Sequence, residues 1–329
     1  EGKPAGEPFR GFGHGTARKG SGPRDPDAPK ELWREVDNDP WFVPVEGYEP
    51  VKPGEHPRLF FRKEDIKDLR RRAKTPEGKA IVERLRKTLG RGEELPTKFN
   101  PTPAHNHNRS PDFAPGEVFT TWHGAGYGLL YQITGEKKYA DLSRLAVELA
   151  FEGKMDRDNR YGWKTPGTSL RVGAILTGIA TAYDLCYDAW PADFRKKVAV
   201  EIQNYDHKAA SGEQVTLKHL AGRTGYPPAS NHYGAHTAAG AAVLAILGDP
   251  GTDTEVLTER LKEFERNLVW NLTHGFGDHG FYAEGHHPSR ISANLGIVPF
   301  MIALKNAAGR DYITPRTNSQ WGTLRWIMA

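Results

Sequence analysis

From Ser230 to Pro250 the chain reads Ser230-Asn231-His232-Tyr233-Gly234-Ala235-His236-Thr237-Ala238-Ala239-Gly240-Ala241-Ala242-Val243-Leu244-Ala245-Ile246-Leu247-Gly248-Asp249-Pro250. Small and apolar residues dominate it after Tyr233, and the Gly-Asp-Pro turn stops it, so the spacing predicts a helix over roughly Tyr233 to Leu247. Small side chains let neighbouring helices approach closely, which places this helix on the inside of a helical protein. Its entrance is different in kind. Asn231 and His232 bring an amide and an imidazole to the place where a helix has free N–H groups and a positive end, a combination that can hold a carboxylate or a developing oxyanion. Ser230 or Asn231 acting as an ordinary helix cap is the competing reading.

The same 3.6-residue period recurs on both sides. Segments near Val118 to Ile133, Tyr139 to Phe151, Ser169 to Tyr187, Ala192 to His207, Val256 to Leu272, Ile291 to Ala307 and Thr317 to Ile327 read as helices. Gly135, Pro191 and Gly248-Asp249-Pro250 punctuate them. No long alternating stretch marks a strand. Short links force successive helices to run antiparallel, so the expected fold is mostly α, a series of helical hairpins. Small residues in Gly124-Ala125-Gly126-Tyr127-Gly128, Gly173-Ala174 and Gly178-Ile179-Ala180 suggest further inner helices. A ring of hairpins, an α/α toroid, accommodates that pattern, with an irregular bundle as the alternative. Residues 1 to 55, rich in Gly, Pro and charge, read as an irregular arm pinned by Trp33, Trp41 and Phe42, with the helical domain occupying residues 56 to 329.

Bulk properties narrow the function. The 329 residues suffice for a large core, and a single cysteine, Cys186, excludes an internal disulfide framework. No apolar run approaches the roughly 18 to 20 residues of a bilayer helix, so no membrane span is expected. The net charge of +4 favours an acidic partner. Nucleic acid is not expected to be that partner, because the densest basic run, Arg70-Arg71-Arg72, is interleaved with Asp65, Asp68 and Glu77.

Three loops are richer in aromatic, His, Asn and Arg residues than connections require: Pro103 to Arg109 leading to Trp122-His123, Gly225 to Tyr233, and Gly275 to Pro288. Aromatic plates with polar edges suit sugar rings. His105-Asn106-His107 and His286-His287 follow no established metal-ligand spacing, so no metal and no other cofactor is assigned. Tyr226 and Tyr282 are candidate proton-transfer groups or sugar platforms.

Several ordered elements resemble the heparinase II/III-like proteins. They are His56-Pro57-Arg58-Leu59-Phe60-Phe61-Arg62 before a charged helix, Ala182-Tyr183-Asp184-Leu185 with Trp190-Pro191, Ser230-Asn231-His232-Tyr233 running to Leu247-Gly248-Asp249, and Gly280-Phe281-Tyr282-Ala283-Glu284-Gly285. The resemblance implies an incomplete α/α toroid, followed in full-length relatives by a β-sandwich. No strand-rich segment occurs before Ala329, so the sequence reads as the toroid without that partner. It also implies a secreted or periplasmic lyase that cleaves a uronic-acid-containing acidic polysaccharide by β-elimination. Asn231 and His232 match the pair that neutralises the uronate and assists proton transfer. The tyrosine usual after the Glu-Gly element is missing from His286-His287-Pro288-Ser289-Arg290, which leaves Tyr282 or His287 as substitutes. Trp122, His123, Tyr226, Tyr233, Glu284 and Arg290 are expected to contact substrate, with Glu284 chiefly anchoring loop backbone. Two other functions fit the residues: a glycoside hydrolase using Glu284 and Asp278, and a non-catalytic glycan-binding domain using Trp122, Trp163, Tyr226 and Tyr282.

Overall fold

A computed structural model describes residues 41–90, 93–105, 112–222, 224–276, 280–285, 290–317 and 319–320, with the side chains of Arg290 and Ile291 outside the description. The helices are α1 (Ile66–Arg72), α2 (Pro76–Thr88), α3 (His123–Thr134), α4 (Lys137–Glu152), α5 (Ser169–Cys186), α6 (Ala192–Gln203), α7 (Leu217–Ala221), α8 (Asn231–Ile246), α9 (Thr254–Gly275) and α10 (Val298–Ala308). A π-helical segment, Arg290–Ile297, leads directly into α10. The described residues also form a 3-10 turn, Lys63–Asp65, and two small antiparallel pairs: β1 (Val43–Pro44) with β4 (Arg310–Asp311), and β2 (Asp206–Lys208) with β3 (Gln214–Thr216). The protein is mostly α, as expected.

Four helical segments form an inner row, and their contacts fix its direction. Gly124 lies against Ala182, and Gly128 against Leu185. A Cβ on Gly173 would collide with the Ala235 carbonyl, and the Thr177 hydroxyl donates to Ala238 O at 2.7 Å. Gly234 meets Ser292, and Gly240 meets the Phe300 ring. In each pair the residue numbers rise together, so α3, α5, α8 and the π-helix–α10 unit run parallel. The outer helices α4, α6 and α9 carry the chain back between them. A parallel row linked this way buries its members almost completely. All of α5 is buried except Leu170, and all of α8 is buried after His232. Each large apolar side chain there, such as Ile175 or Val243, contributes about 1.5–3 kcal/mol.

Parallel inner helices give the row two unlike ends. At one, the connections are short: Gly135 and Glu136 between α3 and α4, residues 187–191 between α5 and α6, and residues 247–253 between α8 and α9. Gly135 closes α3 with a φ of 78°, a left-handed conformation that glycine adopts without a Cβ penalty. At the other end the connections span residues 153–168, 204–230 and 276–289, and every inner segment begins there.

The short-loop end is locked by a buried polar cluster. His56 Nδ1 is 2.7 Å from Asp184 Oδ1, and His56 Nε2 is 3.0 Å from Asp249 Oδ2. The Asp249 carboxylate also accepts from Arg58 Nη2 and from the Tyr183 hydroxyl, both at 2.7 Å. Asp184 takes the backbone N–H groups of Arg58 and Leu59. Burial alone would raise the Asp249 carboxyl; the His56 ring, Arg58 and Tyr183 overcome this and hold it below its usual range.

Two helix boundaries differ from the sequence reading. Residues 118–122 are a loop, buried at Val118, Phe119 and Thr121 and tied down by the Phe119 N–H to Lys98 O bond at 2.9 Å. The Ala192 helix ends at Gln203, and Asp206 begins the β2–β3 hairpin, whose three-residue strands are too short to show an alternation. Of the arm, Trp41 is buried and Phe42 packs on Tyr312 at 5.2 Å, while Trp33 lies outside the described residues.

Candidate functional site

The long-loop end gathers the polar groups that the core does not absorb. Asn231 is the first residue of α8 and His232 the second, and they are the only residues of that helix that are not buried. Neither provides an ordinary cap. Ser230 holds the N-cap position without a capping bond, its buried hydroxyl has no partner, and the Asn231 side chain makes no hydrogen bond among the described residues. By contrast, α2 and α9 are capped by Thr75 and Asp253 in the usual way. The positive end of α8 is therefore left open beside two uncommitted donors.

The preceding loop holds this entrance in place. Asn271 of α9 donates through Nδ2 to Pro228 O at 2.7 Å and to Ser230 O at 3.0 Å. The Ser230 N–H returns to Pro227 O at 2.9 Å. Tyr226, 51% exposed, is thereby laid over His232 with ring centroids 3.8 Å apart and planes 8° from parallel. Beneath them the His232 ring meets His236 edge-on at 5.7 Å, and His236 meets His219 at 6.2 Å. Burial lowers the His232 pKa to about 4; Arg171 and His219 push the same way, and Glu213 opposes them. Near neutral pH the imidazole is uncharged, with one nitrogen able to accept a proton. His236 is fully enclosed and pushed further down by burial, and neither ring nitrogen has a partner among the described residues.

Other expected site residues lie elsewhere. Tyr282 is buried behind the α8 entrance, with the Ser292 hydroxyl 3.4 Å from its phenol and 3.2 Å from Asn231 O. Burial pushes the phenol up, the reverse of what a general base needs. Tyr282 thus braces the entrance from inside. Tyr233 is wholly enclosed against Trp270, with centroids 6.1 Å apart, and is not a sugar contact. His123, 1% exposed, accepts from the Thr120 N–H at 2.9 Å and packs between Phe119 and Tyr127, so it too belongs to the core. Burial lowers its pKa to about 4. Trp163 is a core ring against Phe151 and Tyr205.

Trp122 is half-buried at the start of α3, resting on Gly178 of α5. Glu284 is exposed in a turn closed by the Gly285 N–H to Tyr282 O bond at 2.9 Å. Arg290 opens the π-helical segment, while His287, His286 and Asp278 lie outside the described residues. No group of three or more His, Cys, Asp or Glu among the described residues is placed to hold a metal ion, and none of their helices is long and apolar enough to cross a membrane.

Sequence reading overlooked Arg171, Glu213 and His219, which surround His232 electrostatically. Arg171 had one visible signal: it is the lone cation, in the first turn, of a helix made largely of small and apolar residues.

No protein-family model and no curated protein matches this chain. Among solved structures, the chain is similar to the crystal structure of alginate lyase A1-III from Sphingomonas species A1, with 15% sequence identity and a TM-score of 0.47 over 80% of this chain and 77% of that one.

Proposed function

We propose that this chain is a polysaccharide lyase of the heparinase II/III-like kind, cleaving a uronic-acid-containing glycan by β-elimination, and that its parallel inner row is part of an incomplete α/α toroid. One observation carries the reading. On a helix buried along the rest of its length, Asn231 and a neutral His232 stand at an uncapped entrance beside an exposed aromatic plate.

β-Elimination needs the sugar carboxylate neutralised, because only then is the C5 proton acidic enough to remove. The Asn231 amide and the open α8 end supply donors aimed at that negative charge, worth about 3–4 kcal/mol each where they are preorganised. Uncharged His232 accepts the C5 proton. The electron pair left on C5 forms the C4=C5 double bond as the C4–O4 bond breaks, and O4 takes a proton from the Tyr226 hydroxyl or from water. Tyr226 also offers its ring face to a sugar. A chain of this kind acts on polysaccharide outside the cytoplasm, secreted or periplasmic.

The test is ultraviolet absorbance of the unsaturated uronate during incubation with heparan sulfate, chondroitin, alginate and ulvan. Absorbance is expected to rise with at least one of them and not with His232→Ala. No rise with any of the four, or an undiminished rise in the variant, overturns the reading. Reducing sugar released without the chromophore, and lost in Glu284→Gln, would identify a hydrolase instead.

A further inference from the structure

The first turn of α5 places a cation where a cation is costly. Arg171 is 9% exposed and its Nε is buried without a partner among the described residues. Nη1 donates to the Tyr161 hydroxyl at 3.2 Å, and the guanidinium carbon lies 5.5 Å from the Tyr161 ring centroid. A phenol and its ring do not neutralise a charge. The nearby carboxylates make their hydrogen bonds elsewhere: Asp158, which feels the Arg171 charge only at longer range, is held by Arg160 through Nε at 2.8 Å and through Nη2, and Glu213 accepts the Ser169 N–H at 2.6 Å and the Ser211 hydroxyl at 3.2 Å. Among the described residues, Arg171 forms no ion pair. Buried charges are ordinarily paired, because leaving one alone forfeits its hydration with nothing in return.

Its position explains what the missing partner is. Helices α5 and α8 are parallel with Gly173 against Ala235, so Arg171 and His232 stand at the same level at the long-loop end. They are close enough for the guanidinium to disfavour a proton on His232. We propose that Arg171 is a specificity-determining residue whose ion pair is completed by the ligand, binding the carboxylate of an acidic sugar in the fork geometry that guanidinium and carboxylate share. This rests on the lyase reading for the polymer that carries the sugar, but not for the anion site itself.

The probes are methyl glucuronide, methyl mannuronide and methyl guluronide, which lack a polymeric leaving group. They would be titrated against the whole chain by NMR beside their neutral methyl hexosides and methyl glucoside 6-sulfate. At least one hexuronide is expected to bind at least about tenfold more tightly than its neutral counterpart, the gain of a charge-assisted hydrogen bond. Arg171→Met should abolish that preference while leaving the thermal midpoint unchanged or raised, because an unpaired buried charge has been removed. Arg171→Lys, which keeps the charge without the fork, should recover only part of it.

In binding, four results overturn the proposal: no preference for any hexuronide in the wild type, a preference that survives in Arg171→Met, tighter binding of the 6-sulfate than of every hexuronide, or loss of preference in both variants only through loss of their thermal transition. If Arg171→Met loses the preference and no glycan yields the unsaturated product, the anion site stands and the lyase reading falls. Product formed at the wild-type KM by Arg171→Met sinks the anion site alone.

Discussion

Two histidine-centred clusters stand at opposite ends of the same parallel row. At the short-loop end both His56 nitrogens meet a carboxylate, and Arg58, Tyr183 and two backbone N–H groups fill in around them. At the long-loop end His232 and His236 have ring neighbours, neither His236 nitrogen has a hydrogen-bonding partner among the described residues, and burial keeps both rings uncharged. A buried network whose charged groups are paired with one another contributes rigidity and position. An unsaturated one beside open helix ends contributes capacity for a ligand. The difference follows from helix direction: the short-loop end collects C-terminal turns that short links can close, whereas the long-loop end collects N-terminal turns, of which that of α8 has no side-chain cap.

The largest expected effect comes from breaking the closed cluster. Asp249→Ala leaves His56, Arg58 and Tyr183 without a common acceptor, and should lower stability by about 3–5 kcal/mol in chemical denaturation. Per folded molecule, its ligand binding should be unchanged. His232→Ala should do the opposite, reducing product formation by about a hundredfold or more while moving the denaturation midpoint little. If both substitutions acted mainly on stability, the two ends would not differ in kind.

Acid sharpens the contrast because the two ends titrate in different windows. His123 and His232 have folded pKa values of about 4 against 6.5 in an unfolded chain, so the unfolded chain takes up their protons first. Their contribution is complete above pH 6.5 and is lost as the pH falls toward 4, at about 3 kcal/mol for fully enclosed His123. Asp156, which burial raises to about 6, works in the opposite sense between 3.8 and 6 and reduces the slope. Asp249 is held below 3.8, so its contribution persists until the pH falls past that value. Amide exchange at pH 5 should therefore quicken around α3 and the α8 entrance before it quickens around Arg58 and Leu59. Simultaneous loosening at both ends would contradict the assigned windows.

How much of this was legible in the sequence depends on distance along the chain. Helix stops such as Gly135 and Gly248-Asp249-Pro250 act within a turn, and most inner and outer helices could be placed from them. The Asn231-His232 entrance was legible because two polar residues interrupt an otherwise small and apolar run. His123 and Tyr233 looked equally chemical in sequence but are enclosed, since a loop imimidazole and a core imidazole differ only in what other segments bring to them. Arg171 is the converse. Its significance is that Asp158 and Glu213 are taken by Arg160 and Ser169, and such pairings cannot be read from spacing. The His56, Asp184 and Asp249 elements were read as marks of resemblance, and only the fold shows them meeting in one place.

The smallest effect tests whether the open cluster recognises sugar or only performs chemistry on it. Tyr226 is half exposed yet lies flat on His232, so one face is already used and the other is available. Tyr226→Phe keeps both faces and removes only the hydroxyl; Tyr226→Ala removes the plate. If Tyr226 is mainly a platform, the alanine variant should raise KM by about five- to tenfold, the about 1 kcal/mol of an aromatic contact, and phenylalanine should restore it. If the hydroxyl returns the proton to O4, phenylalanine should instead lower kcat and leave KM in place. The closed cluster offers no such division of labour, because its histidine, carboxylates and guanidinium hold one another and their loss is felt first by the fold.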